Sequence, residues 1–360
     1  MRVLLVSHPP LSAEYGAAQI ALRLAAALAA RGHEAVAWSP EPLPAARGWG
    51  RWQAQRRAIE SYAADSGPWD VIEAPGISAS PRLARLAPLV AREVQPELLY
   101  TFEGLRGQLA EPLPRALRTL AHLPPAAAFV PTLLRGWGRA RVIACLGSLD
   151  LRWMHRRFPR WSGKLRSYVV APSAAERAAF AAVRRERAPS EPGAGTRFLW
   201  IGRWVAHKGT GRLLAFVRER AGAFPRDRFT LAGCGTAAER DCPPALLADG
   251  RLRIVPAFRR EELPALLAGH DVGLFTSRVE GWGLCLNEML ESGLAVAATP
   301  AGGVEDLRPF WGPRLLPFPP AGEIPAAGAE PAALEGYLAA FSWDEIARRY
   351  EEEVLLPCAP

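Results

Sequence analysis

Residues 271–299 read DVGLFTSRVEGWGLCLNEMLESGLAVAAT, and glycines divide the stretch into a strand, a turn, a helix and a second strand. Asp271–Ser277 is an apolar run of strand length. Gly281 and Gly283 make a helix through Glu280 unfavourable, so Arg278–Gly283 is expected to be a Gly-rich turn. A helix follows from Leu284 to Ser292, with Gly293 closing it. Leu294–Thr299 then resumes as a strand. Strand, helix and strand in this order form the unit of a parallel sheet. Seven residues separate Glu280 from Glu288. The first carboxylate falls in the turn and the second about one helical turn in, so both can line one crevice. Leu284, Cys285, Glu291 and Ser292 lie three or four positions from Glu288 and give it a mixed face. Two solvated carboxylates would fit the same spacing. Their place after a strand, where open α/β sheets bind ligands, favours a shared ligand.

Similar alternation runs through the rest of the chain. RFLWIG (Arg197–Gly202), RFTLAG (Arg228–Gly233) and RLRIVP (Arg251–Pro256) read as strands ahead of this unit. In the first half, Val3–Val6 leads through Tyr15 and Gly16 to a helix from Ala17 to Arg31. Ile20, Leu24 and Leu28 line one face of that helix, and Gly32 stands at its cap. Further strands are expected at Glu34–Pro40, Trp69–Pro75, Glu97–Phe102, Arg141–Gly147 and Tyr168–Ser173. VRRERAPSEPGAGT (183–196) is polar and aperiodic, with two prolines and two glycines, and marks a linker. The expected organisation is α/β, with two domains each built on a parallel sheet. Residues 1–187 form the first domain, 188–196 the linker, 197–340 the second domain, and 341–360 a terminal helix returning to the first. Ser342 and Glu345 are expected to form a capping box on that helix, with Phe341 and Ile346 as its hydrophobic staple.

GRWVAHKGTGRLL (202–214) follows an apolar strand and carries Arg203 and Lys208 where a loop leads into a helix. Two cations beside a helix N-terminus suit a diphosphate, because free amides and the helix dipole add to the formal charges. Gly209 and Gly211 permit close backbone approach. Of 44 basic residues only Lys164 and Lys208 are lysine. A compact ammonium on a flexible stem suits a phosphate at this loop, although an ordinary surface loop would carry the same charges. LAGCGTAAE (231–239) fits the dinucleotide fingerprint GxGxxA. The following strand, Arg251–Pro256, ends without the acidic residue that a dinucleotide ribose needs, so a tight turn is expected there rather than an NAD site.

The net charge of +8 is concentrated. Between Arg106 and Arg187 stand 16 basic residues against four acidic ones, and RWMHRRFPRWSGKLR (152–166) interleaves aromatics with cations. The stretch reads either as a solvated Arg-rich face or as a surface for an anionic membrane or phosphorylated acceptor. Nucleic acid is disfavoured, because no recognition motif accompanies the charge. Five scattered cysteines without a CxxC pair argue against a zinc ribbon or disulfide framework and suit a reducing compartment. MRVLLVSHPP lacks the apolar core and cleavage site of a signal peptide, and no run of about 18 apolar residues occurs. A cytoplasmic protein is expected, with the inner membrane face as its one membrane option.

With these motifs in place, the chain resembles the retaining glycosyltransferases of family 4, which have the GT-B fold. In that fold two Rossmann-like domains set their parallel sheets across a cleft, and a C-terminal helix packs back on the first domain. The likeness is carried by GRWVAHKG, LAGCG, HDVGLFTSRVEGWGLCLNEMLESGLAVAATPAGGVEDL and, near the start, YGAAQIALRLAAALAARGHEAV. It implies transfer of a sugar from a nucleotide diphosphate, UDP first and GDP next, to a hydroxyl acceptor of a glycan, glycolipid or natural product. Arg203 and Lys208 would hold the diphosphate, Glu280 would contact the sugar and Glu288 the ribose. Gly281, Trp282, Gly283 and Leu284 would face the diphosphate or sugar, with Gly202 beside Arg203 and Gly16 approaching the donor from the first domain. The family uses no metal or cofactor, and the chain has no DxD motif. Its first domain commonly carries a histidine after a central strand. Glu103 in LYTFEGL stands at the expected equivalent, with Glu73 in WDVIEAP as a second candidate. The alternative is a non-catalytic protein that binds nucleotide sugars or acts as a scaffold.

Overall fold

The computed structural model describes residues 1–12, 15–41, 48–93, 97–109, 123–187, 193–320 and 333–359, without the side chains of 48–49, 104–109 and 123–127. The chain divides into two compact units, Met1–Val170 with Ala339–Pro360, and Ala171–Leu338. Among the described residues each unit is built on six strands, and every pairing is parallel.

In the first unit the strands are β1 (Arg2–Val6), β2 (Glu34–Trp38), β3 (Val71–Pro75), β4 (Leu89–Glu93), β5 (Val142–Leu146) and β6 (Leu165–Tyr168). Their order is β2-β1-β3-β4-β5-β6. The strands β3, β4 and β5 are buried at every residue, as befits a parallel sheet covered on both faces. Helix Gly16–Ala30 buries Ile20, Leu24 and Leu28 at the expected spacing, and Gly32 follows it at φ 89°.

Two expectations fail in this unit. Glu97–Phe102 is not a strand but the start of helix Glu97–Leu109. Leu98 is buried while Tyr100 and Phe102 are exposed, and the Thr101 hydroxyl donates to the Glu97 carbonyl. The missing strand is β4, LVARE, whose Arg92 and Glu93 disguise it. Arg92 meets Glu73 of β3 at 2.8 Å and also bonds the Val6 carbonyl, so the charges lie inside the sheet layer. The strand expected at Tyr168–Ser173 ends where it was to begin, with β6 covering Leu165–Tyr168.

The linker expected at 188–196 falls largely on residues 188–192, outside those described. Helix Ala174–Glu186, expected in the first domain, belongs to the second unit. Its arginines explain why: Arg184 donates to the Glu291 carbonyl at 2.5 Å, and Arg187 to those of Ser292 at 3.2 Å and Leu267 at 3.0 Å. These are carbonyls at or just beyond helix ends, where cations are favoured.

The terminal helix Trp343–Tyr350 packs in the first unit. Arg31 bonds Glu351 at 2.7 Å, and Tyr350 lies edge-on to Tyr168. Ser342 Oγ accepts from the Glu345 amide at 3.2 Å, but the Glu345 carboxylate accepts from Arg348 and Arg349 instead of closing the box. Among the described residues no helix is long and apolar enough to cross a membrane.

The second unit contains β7 (Arg197–Ile201), β8 (Arg228–Ala232), β9 (Leu252–Val255), β10 (Val272–Phe275), β11 (Ala295–Ala298) and β12 (Leu315–Pro317). All but β12 were expected. Their order is β12-β11-β10-β7-β8-β9. The chain therefore runs outward from β7 to β9, then returns to the other side of β7 with β10. This reversal is a topological switch point, where adjacent loops diverge and leave a crevice at the carboxyl ends of the strands.

Candidate functional site

The loops leaving β7 and β10 flank that switch point, and they carry the cation-rich and glutamate-rich motifs. The chain leaves Ile201 through Gly202 and Arg203 into a 3-10 turn at Ala206–Lys208, then enters helix Thr210–Ala223. The second loop runs from Thr276 to Gly283 and enters helix Leu284–Glu291, as the glycines predict. Backbone and side chain stitch the two loops together. The Arg278 amide donates to the His207 carbonyl at 2.7 Å. Thr276 Oγ1 donates to the Lys208 carbonyl at 2.7 Å and accepts from Trp200 Nε1 of β7 at 3.0 Å.

Within this frame Lys208 Nζ donates directly to Glu280 Oε2. Ser277 Oγ donates to the same oxygen at 3.0 Å. Burial works against the Lys208 charge, but the Glu280 carboxylate outweighs it and holds the ammonium above its ordinary pKa. Arg203 is exposed beside the pair, and its charge acts on both His207 and Lys208. Burial first, with the neighbouring cations, lowers the His207 pKa to about 4, so that imidazole is neutral. The Cys285 thiol, in the first helical turn, is pushed up to about 12 by burial and is not a thiolate nucleophile at neutral pH.

Two glycines make the close approach possible. Gly209 has φ 72°, and a Cβ there would lie 1.9 Å from the Thr276 carbonyl oxygen. Gly283 has φ 83°, and a Cβ there would lie 2.5 Å from the Phe275 ring. Gly283 is also the N-cap of helix Leu284–Glu291, with no side chain capping it. The amides of that first turn therefore add positive potential to the side of the crevice that Lys208 approaches from the other loop.

The Trp282 side chain points into the unit. It is buried, and its Nε1 donates to Asn287 Oδ1 at 2.6 Å. Asn287 Nδ2 donates to Tyr337 Oη at 2.8 Å, and that hydroxyl donates to Glu291 Oε1 at 2.6 Å. The indole thus anchors the Glu280 turn to the body of the unit. Glu288 is buried and lies 2.8 Å from Arg260, which also bonds Glu176. Thr276, Ser277, Asn287, Tyr337 and Arg260 escape the sequence, since each acts through a contact that only the strand order creates.

Gly16 and Glu103 lie in the other unit. Gly16 opens the first helix, after β1. Glu103 sits on helix Glu97–Leu109 and does not end a strand, so its premise fails. Glu73 is internal to β3 and paired with Arg92. The acid at the carboxyl end of a central strand is Glu93, which accepts from Trp137 Nε1. Burial raises its pKa and pushes neighbouring Glu97 up to about 8.

The basic stretch 152–166 resolves into two layers. Trp161 and Met154 are buried, and Phe158 and Trp161 pack edge-on to or beside Trp137 within 5.5 Å. Arg152, Arg156, Arg157 and Arg160 face outward, with Arg160 over the Trp161 ring at 4.0 Å. Lys164, the second lysine, donates to the Gly138 and Ala140 carbonyls at 2.9 and 2.8 Å and so closes helix Leu123–Arg139. All five cysteines are free thiols. Among the described residues no group of three His, Cys, Asp or Glu side chains is placed to hold a metal ion.

Residues 195–309, which include Arg203, Lys208, Glu280 and Glu288, match the family model Glycosyl transferases group 1. The match lies wholly within the second unit. Whole-chain likenesses to solved structures take in both units. Sucrose-phosphate synthase from Thermosynechococcus elongatus superposes at TM-score 0.63 and 16% identity, over 99% of this chain and 95% of that one. The catalytic domain of Starch Synthase IV from Arabidopsis thaliana, bound to ADP and acarbose, gives 0.58 and 13%, over 99% of each chain. An E. coli structure named for trehalose-6-phosphate and bound with UDP-2-fluoro glucose gives 0.55 and 14%, over 99% and 95%. The fold is GT-B. A search of curated proteins finds no match to the sequence.

Proposed function

We propose that the chain is a retaining glycosyltransferase that moves a sugar from a nucleotide diphosphate, UDP first and GDP next, to a hydroxyl acceptor. The observation that carries this reading is the contact between Lys208 and Glu280 at the switch point of the second sheet. Lys208 keeps two further N–H donors for a phosphate, while the carboxylate it orients accepts from a sugar hydroxyl. Arg203, exposed beside them, adds a second cation. The bond from anomeric carbon to phosphate oxygen breaks as the acceptor oxygen bonds to the same face. The acceptor's proton passes to the leaving phosphate oxygen. Charge grows on that phosphate in the transition state, and cations already fixed there stabilise it more than they stabilise the ground state. No metal is needed in this scheme. Bound ADP and UDP-2-fluoro glucose in two of the similar structures support a nucleotide diphosphate as the donor class.

A thermal-shift panel tests the reading. UDP, GDP or ADP at saturating concentration is expected to raise Tm by several degrees, and NAD to leave it unchanged. No shift with any of the three diphosphates would overturn the proposal. A shift without turnover of any nucleotide sugar would favour the non-catalytic alternative.

Free thiols suit a reducing compartment, so the activity is proposed for the cytoplasm. The outward arginines of 152–160 are proposed to meet an anionic membrane surface, where a lipid-linked acceptor would reside. Arg152→Ala with Arg156→Ala is then expected to weaken sedimentation with anionic vesicles by about 10-fold, and equal binding would remove the membrane from the account.

A further inference from the structure

Glu288 cannot be understood without Arg260. The carboxylate is buried, and a lone buried carboxylate takes up a proton rather than stay charged. Arg260, in the 3-10 turn that follows β9, places Nη2 2.8 Å from Glu288 Oε1. Nη2 also bonds Glu176 Oε1. Glu176 is itself fixed: its Oε2 accepts from both the amide and the hydroxyl of Ser173, each at 2.7 Å, and closes the capping box of helix Ala174–Glu186. One guanidinium therefore joins two carboxylates on two helices. A planar fork can serve both at once, which a lysine ammonium does less rigidly. Cys285 and Glu291 feel the Glu288 charge, and Arg177 lies 3.3 Å from Glu291. Two carboxylates on one guanidinium leave the group with a net negative charge. A carboxylate accepts up to about four hydrogen bonds, more than the pair with Arg260 requires.

We infer that Arg260 is a positioning residue of the donor site, holding Glu288 as an aimed carboxylate that accepts from the donor's ribose hydroxyls. The inference rests on the glycosyltransferase reading above. Arg260 itself need not touch the donor. Its loss would leave Glu288 without the cation that aims it, so what fails is recognition of the ribose rather than of the diphosphate, which Lys208 and Arg203 hold.

The test is isothermal titration of the full chain with the diphosphates of uridine, guanosine and adenosine and with their 2′,3′-dideoxy forms. The wild type is expected to prefer the ribonucleotide over its dideoxy form by about 10-fold or more. Arg260→Gln should cut that preference to about twofold, Arg260→Lys should restore part of it, and affinity for the dideoxy form should barely change. A purely structural role would weaken both forms alike. Glu176→Gln, which frees one side of the guanidinium, should lower the preference severalfold and serves if Arg260→Gln does not fold. A wild type that binds no diphosphate overturns the glycosyltransferase reading together with this inference. A wild type that binds without discriminating ribose, or variants that keep the full preference, overturn this inference alone.

Discussion

Lys208→Ala is expected to lower kcat/KM for the nucleotide sugar by about 10²–10³-fold, the usual effect of deleting one preorganised donor to a developing oxyanion. Lys208 is the cation placed at the switch point with its charge held by a neighbouring carboxylate. Loss should appear mainly in kcat, since in the proposed reaction Arg203 and the helix amides would still bind the ground-state diphosphate. The substitution also strands Glu280, whose side chain is 9% exposed, so stability should fall as well. Lys208→Met with Glu280→Gln separates the two effects. Melting temperature should recover in the double variant because no charge is left unpaired, whereas turnover should stay low. Recovery of turnover with stability would show that Lys208 acts only as a structural partner.

Gly209→Ala is expected to destabilise the second unit by about 2–4 kcal/mol and to abolish nucleotide binding. The position requires φ 72°, which costs any residue with a Cβ about 1 kcal/mol or more. Steric overlap costs more still, because the new Cβ would sit 1.9 Å from a backbone oxygen, that of Thr276, which has no soft way to move. The loops after β7 and β10 would have to part, breaking the bond from Thr276 Oγ1 to the Lys208 carbonyl and drawing the ammonium from Glu280. Gly211→Ala is the control. That glycine lies inside helix Thr210–Ala223 with open space where its Cβ would project, so alanine there should be neutral or stabilising by up to about 1 kcal/mol. Chemical denaturation of the pair decides the matter: equal midpoints would contradict the close packing of the loops.

The unit 271–299 is legible in the sequence because its glycines are syntactic: Gly283 and Gly293 both adopt positive φ at the ends of helix Leu284–Glu291. Arg203, Lys208, Glu280 and Glu288 are legible as residue types at the ends of strands. What the sequence does not contain is the adjacency of β7 and β10, and with it the contact of Lys208 with Glu280. A reader of the sequence assigns the two residues to different parts of a donor; the fold puts them in one hydrogen bond. The strand LVARE stays hidden for a different reason. Arg92 and Glu93 look like surface residues, yet their partners Glu73 and Trp137 lie inside the same layer, and only the assembled sheet supplies them. That concealment also misplaced Glu103. Arg260 is missed similarly, since its partners Glu176 and Glu288 come from helices distant in sequence.

The most direct test of the account measures nucleotide diphosphate released from UDP-, GDP- and ADP-glucose by the wild type and by Lys208→Ala, separated by ion-exchange chromatography. Slow hydrolysis by water in place of the acceptor is enough for the readout. Release from at least one donor by the wild type, falling to background in the variant, is the predicted result. Release that the variant matches, or no release from any donor by a protein that remains folded, would contradict the claim that the Lys208–Glu280 pair is the centre of a sugar-transfer site.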